Sequence, residues 1–324
     1  MIRRAFLGAA SFAGLAALGA CSEVGAPAPV AEQPPVQTVA APAPAPAPAP
    51  RRVQVPSADS VELASFYRRL EADLSVRGLL RRDGGGSDTP FTAAMLARNF
   101  EQIALYDEYV SENDELRART TESRLRRWEM PVRFGVEFGD GVPVEQREAD
   151  LENVRSYVAR LARVTGHPMR YDESDANFHV LILTEDDRRN SANRLRELIP
   201  GITDGSIRAF QTRDRGTLCL VLAFSQGQSA TYTRAVALIR AEHPELLRLS
   251  CIHEELAQGL GLANDSPTAR PSIFNDDEEF ALLTRHDELL LQMLYDDRLT
   301  PGMTAAEARP TVRAIAAELV GGGS

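Results

Sequence analysis

The chain has 324 residues, 44% hydrophobic and 25% charged, with 36 basic against 46 acidic residues and a formal net charge of −10. That length allows one large or two small domains with a sizeable core. An acidic balance without a basic cluster argues against nucleic-acid binding, which runs on phosphate neutralisation, and against electrostatic docking on anionic lipid.

Residues 1–21 read as a targeting segment. Arg3 and Arg4 precede an apolar stretch from Phe6 to Ala20, shorter than the ~20 residues a membrane span needs. Leu18-Gly19-Ala20-Cys21 resembles the lipobox of bacterial lipoproteins, which implies cleavage before Cys21 and lipid attachment to its sulfur. The alternative is an uncleaved anchor. Arg3-Arg4-Ala5-Phe6-Leu7 also resembles a twin-arginine export signal. Ser22, after the Cys, implies by the same resemblance an outer-membrane address facing the periplasm. Without the leader, 34 Arg stand against 46 acids, a net charge of −12. Residues 22–57 form a linker containing Ala-Pro repeats from Ala41 to Pro50. Proline fixes φ and removes donors, so from Ala26 onward this stretch predicts a semi-rigid spacer of ~3.1 Å per residue, about 90 Å over about 30 residues.

The cysteines left, Cys219 and Cys251, are a disulfide candidate in an oxidising periplasm. Closing that loop is worth roughly 3–4 kcal/mol in the chain-entropy model. Two buried free thiols are the alternative.

Residues 58–130 predict a helical N-terminal region. Val61, Leu63, Phe66, Leu70 and Leu74 fall near helical spacing up to about Arg82, and Thr89-Pro90 opens a second helix holding Phe91, Met95, Phe100 and Ile103. A polar, Arg-rich run then leads to Trp128. Residues 131–303 predict an α+β domain with a small, mixed, mostly parallel sheet packed by helices. Its strands are Pro131–Phe138, Met169–Tyr171, Phe178–Leu183 and a buried Leu218–Phe224. Tyr232–Ile239 predicts an edge strand, with helix as the alternative. Its helices are Val144–Gly166, Ser191–Ile199 and one from Pro244 to about Leu260, closed by Gly259 and Gly261. Residues 304–324 open with the capping box Thr304/Glu307 and continue as a helix that Pro310 is expected to interrupt.

The stretch from Cys251 to Ser266, CIHEELAQGLGLANDS, carries the chemistry. The zinc-protease signature H-E-x-x-H places two imidazole ligands at i and i+4 with a Glu base between them, and its longer form adds x-x-G-x-x-H. Anchored on His253-Glu254, the other ligand positions fall on Ala257 and Ala263, which cannot bind metal. Anchored on Glu254-Glu255, they fall on Glu254, Gln258 and Asn264, with Glu255 as the base and Gly261 at the turn. Leu260-Gly-Leu262, Ser272-Ile-Phe274, Leu283-Thr-Arg-His-Asp287 and Leu290-Leu-Gln-Met-Leu-Tyr295 resemble segments that follow this helix in matrix-metalloprotease-like sequences. That resemblance implies a zincin-like domain with a degenerate site. The segments His253–Ser266, Ser272–Asp276, Phe280–Thr284 and Tyr295–Met303 resemble more closely domain of unknown function 2927, a family of proteobacterial envelope proteins, over about residues 125–303.

Zinc favours imidazole and thiolate. Glu254, Gln258 and Asn264, with Asp265 beside them, offer carboxylate and amide oxygens, which suit at most a weakly held hard cation. Without a metal, Glu255 has no polarised carbonyl or activated water to work on. The favoured expectation is therefore a non-catalytic scaffold binding a peptide or an envelope partner, with no cofactor. The alternative is an atypical metallopeptidase with Glu255 as general base. His253 is a further catalytic candidate if it turns into the cleft; otherwise it is a partly buried side chain bonded to a carboxylate or the backbone. His286 reads as surface, and His167, His179 and His243 as scattered. Asn275 and Glu278 read as a capping box. Leu282, Leu283, Leu289, Leu290, Met293 and Leu294 read as core.

Overall fold

The computed structural model describes residues 55–112, 115–212 and 214–322. The expected leader, Cys21 and the expected linker up to residue 54 lie outside them. Residues 52–324 form one compact unit, and no helix among the described residues is long and apolar enough to cross a membrane.

Helix α1, Ala58–Val76, starts where the Ser57 hydroxyl accepts from the Ser60 N–H. The Ser57 N–H itself donates to Asp186 at 3.0 Å. Helix α2, Ala93–Ala104, is capped in the same way by Thr92 and buries Leu96, Phe100 and Ile103. The polar run that follows is a β-hairpin, β1 (Tyr106–Glu112) and β2 (Glu115–Glu122), with Tyr106 opposite Glu122 and Asp107 opposite Thr121. The two expected helices of this region form, and the polar run that the sequence left unassigned is this hairpin, whose residues are too polar for an apolar alternation to register.

The main sheet uses β3 (Arg127–Trp128), β4 (Val132–Phe138), β5 (Met169–Tyr171), β6 (Phe178–Leu183), β7 (Cys219–Ser225) and β8 (Thr231–Arg240). Between them lie α3 (Val144–Thr165), α4 (Glu185–Arg189), α5 (Ala192–Leu198) and α6 (Asp204–Thr212), and after them α7 (Glu245–Gln258), α8 (Arg285–Leu294) and α9 (Ala305–Gly321). The order is β3-β8-β6-β4-β5, all parallel, with β7 antiparallel on β8. This is the expected α+β arrangement with a mostly parallel sheet. Phe134, Phe178, Val180 and Ile182 face the main core, shared with α2, α3, α7, α8 and α9. Leu181, Leu183, Val236 and Leu238 face a second core under α5 and α6.

Two strand assignments change places. Tyr232–Ile239 is interior, paired with β6 and β7, and β7 is the half-exposed strand. The unbroken apolar run of β7 misled because both faces meet apolar neighbours: Leu222 and Phe224 touch the second core, Val221 and Ala223 the first. Three smaller expectations are also corrected. Asn275–Glu278 caps no helix; the Asn275 side chain accepts from the Asp277 N–H at 3.3 Å and donates to the Ala269 carbonyl at 2.9 Å, a local turn that competes with capping. Helix α9 runs through Pro310, and Ala306, whose carbonyl loses its helical partner there, is exposed, so that carbonyl is open to solvent. His286 is fully buried, 3.1 Å from the Asn99 amide and edge-on to Phe91. The Leu and Met stripe of α8 does lie in the core.

Candidate functional site

Helix α7 is the floor of the site. Leu247, Cys251, Ile252, Leu256 and Ala257 bury its inner face. The chain leaves it through Gly259, whose carbonyl accepts from the Trp128 indole at 2.9 Å, and turns at Gly261. There φ is +133°, and a Cβ would run into the Arg126 carbonyl. Only glycine suits that backbone. The returning loop is stitched down: the Asn264 N–H donates to Ile103, and the Ser266 N–H donates to Phe274 at 2.8 Å. Asp287, fully buried, holds the neighbouring Ser272–Phe274 segment by accepting from the Ser272 hydroxyl, the Ile273 N–H and both donors of Thr284.

A cavity of about 360 Å³ lies between α7 and β7. Residues Cys219 to Ala223 form its wall, and Glu254, Glu255 and Gln258 its floor. A disulfide joins Cys219 to Cys251 and so ties wall to floor; the expected pair forms. The Glu254 carboxylate lies 3.9 Å from Cys219 Sγ. Beyond Ala223 a second cavity of about 600 Å³ shares Arg126, Ala223 and Tyr232 with the first and continues past Ser225 to the Gly227–Ala230 turn. Together they make a groove along the length of β7. Among the described residues β7 pairs with β8 alone, so its other edge turns unpaired N–H and C=O groups away from the sheet. The β1–β2 hairpin begins at the Tyr232 end, where Asp107 pairs with Arg126, and its second strand packs against α6.

The residues singled out in the sequence divide here. Glu254, Glu255, Gln258 and Asp265 line one cavity, and Gln258 donates to Asp265 at 3.0 Å. Asn264 does not line it; its amide donates to the carbonyls of Gln102 and Asp265, both at 2.9 Å, holding the loop against α2. His253 lies in the core, stacked on Tyr157 at 3.9 Å, with Nδ1 accepting from the Leu283 N–H at 3.0 Å. Burial, helped by Arg160, pushes its pKa down to about 3, so the ring is neutral. Cys21 lies outside the described residues.

Sequence reasoning missed the far rim, Asp276 and Glu278, and the mouth residues Asp107 and Arg126. The acidic run from Asp276 to Glu279 was visible, but its capping pattern suggested a helix. Glu278 has φ +57°, and burial beside Asp276 and Asp277 pushes its pKa up to about 7. Among the described residues no three His, Cys, Asp or Glu side chains converge in a way that could hold a metal.

No curated protein and no solved structure matches the chain. One family model matches residues 93–314, a wider span than the motifs alone suggested. The chain belongs to the family described as protein of unknown function DUF2927.

Proposed function

We propose that the chain is a lipid-anchored protein of the cell envelope whose zincin-like domain binds an extended stretch of a partner polypeptide without cleaving it. The observation that carries this is the open edge of β7 along a groove floored by α7. An extended segment can add to such an edge through main-chain hydrogen bonds, while pockets along it select side chains. The donor set agrees. Of the positions where the zincin pattern has imidazoles, Gln258 is bonded to Asp265 and Asn264 to two backbone carbonyls, which leaves little to grip zinc. The lipid on Cys21 and the linker would hold the groove off the outer membrane.

Hydrogen exchange tests the binding mode. Bound peptide should slow exchange at the outward amides of β7, and peptide binding that leaves β7 unprotected defeats the reading. One observation favours the alternative metallopeptidase: Glu255 is 4% exposed at the cavity floor beside Glu254. Peptide hydrolysis that Glu255→Gln abolishes would replace the scaffold with an enzyme. Loss of palmitate incorporation in Cys21→Ser tests the anchor; unchanged labelling overturns it.

A further inference from the structure

We infer that the Cys219–Cys251 disulfide is an exchange site: a thiol entering the cavity beside β7 is captured on Cys219 as a mixed disulfide, with Cys251 as the leaving sulfur and the His243 imidazole as the hydrogen-bond donor that receives it. This goes beyond the groove as a strand-addition site and does not depend on it.

The two sulfurs stand in different surroundings. Cys219 is half-buried at the start of β7 and lines the cavity of about 360 Å³. Cys251 is 1% exposed on the inner face of α7. Which sulfur of a disulfide is attacked follows access, so a thiolate in the cavity meets Cys219. Cys251 faces His243, on the turn that joins β8 to α7. That histidine is buried, with Nδ1 3.7 Å from the Cys251 sulfur. Its ring lies edge-on to Tyr67, centroids 4.3 Å apart, and its carbonyl accepts from Arg248 at 2.6 Å. Tyr67 is fixed in turn, donating to the Arg215 carbonyl at 3.2 Å.

Burial, with Arg240 and Arg248 nearby, holds the His243 pKa well below its ordinary value, so the ring is neutral and carries one N–H. Nε2 is buried without a hydrogen-bond partner among the described residues, so Nδ1, facing the sulfur, is where that proton has an acceptor. A disulfide sulfur accepts weakly and a thiolate strongly. The contact therefore strengthens as charge moves onto Cys251, and a stabilised thiolate leaves faster. In the step itself the incoming thiolate forms an S–S bond to Cys219, the Cys219–Cys251 bond breaks, and its electron pair goes to Cys251. The proton that the incoming thiol gave up to solvent is matched by the one Cys251 takes from it. One disulfide replaces another, with no net oxidation. Cys251, kept beside Cys219 by the fold, can attack back and release the thiol.

Glutathione tests this on the folded, oxidised chain, its free thiols first blocked with iodoacetamide and the reagent removed. After incubation with excess glutathione, the mixture is quenched in acid, new thiols are labelled with N-ethylmaleimide in denaturant, and peptide mass mapping reads each cysteine. Glutathione should sit on Cys219 and maleimide on Cys251, at least about tenfold over the reverse. Equal distribution, or glutathione on Cys251, overturns the assignment of the leaving sulfur. No capture by the folded protein, while the urea-unfolded chain reacts, overturns the exchange site and leaves strand addition at β7 standing. His243→Phe keeps a ring against Tyr67 but has no N–H, and should slow capture at least about fivefold. A variant that only loosened the packing would expose the disulfide and react faster, so an unchanged or faster rate overturns the role of His243. The distribution on the unaltered protein is independent of how the variant folds.

Discussion

His253 offers a sharp test of whether the residue beside the motif belongs to the core or to the cleft. Its folded pKa of about 3 lies below the ordinary 6.5, so the unfolded chain takes up a proton that the folded chain refuses. With a depressed histidine, stability is flat above about pH 6.5 and falls as pH drops toward 3. Between pH 7 and pH 5 the loss is about 1.5 pH units at 1.36 kcal/mol each, roughly 2 kcal/mol. His253→Gln keeps an acceptor for the Leu283 N–H but does not titrate. Urea denaturation of both proteins at pH 7 and pH 5 should show a pH-dependent loss about 2 kcal/mol smaller in the variant. The variant also loses the stack on Tyr157, which lowers stability at both pH values and cancels in the difference. His179 and His243, whose pKa values burial also lowers, are common to both proteins and cancel too. An identical pH dependence in the two proteins would show that His253 is solvated and open to the cleft, and the core placement would be wrong.

Gly261→Ala should cost at least about 3 kcal/mol in chemical denaturation, since it combines a backbone region reserved for glycine with a collision at the Arg126 carbonyl; a cost under 1 kcal/mol would show that the turn relaxes. Replacing Cys219 and Cys251 together by Ser reopens a loop of 32 residues' separation, a loss of about 4 kcal/mol in the chain-entropy model, read as a lower urea midpoint. Asp287→Ala strands four donors inside the protein and should cost at least about 3 kcal/mol, whereas Asp276→Asn, on an exposed rim residue, should change stability by less than about 0.5 kcal/mol.

Much of the fold was legible because its strongest signals are local. Gly166 ends α3 in the left-handed conformation, Thr304 and Glu307 form the predicted capping box, and the apolar face of α3 shows in Val154, Val158 and Leu161. What stayed hidden depends on neighbours distant in sequence. Nothing in Leu218–Phe224 says that its second edge lacks a strand. Nothing near His286 announces Asn99 and Phe91, contributed by a segment almost two hundred residues earlier. The site was half legible for the same reason. Glu254, Glu255 and Gln258 share a helix, so their spacing places them together. Asp276 and Glu278 reach the cavity through a turn whose Asn side chain imitates a helix cap. Asn264 satisfied the motif's spacing, yet its side chain is bonded under the loop.

The Cys219–Cys251 bond also bears on how the chain reaches its native covalent state. The sequence holds three cysteines, so three mutually exclusive pairings compete during oxidation, two of them involving Cys21. Attachment of lipid to the Cys21 sulfur, as proposed, withdraws that thiol and leaves a single crosslink to form. If that proposal holds, a chain whose Cys21 stays unmodified would be exposed to scrambling, and lipidation at residue 21 would bear on whether the distant groove is crosslinked correctly.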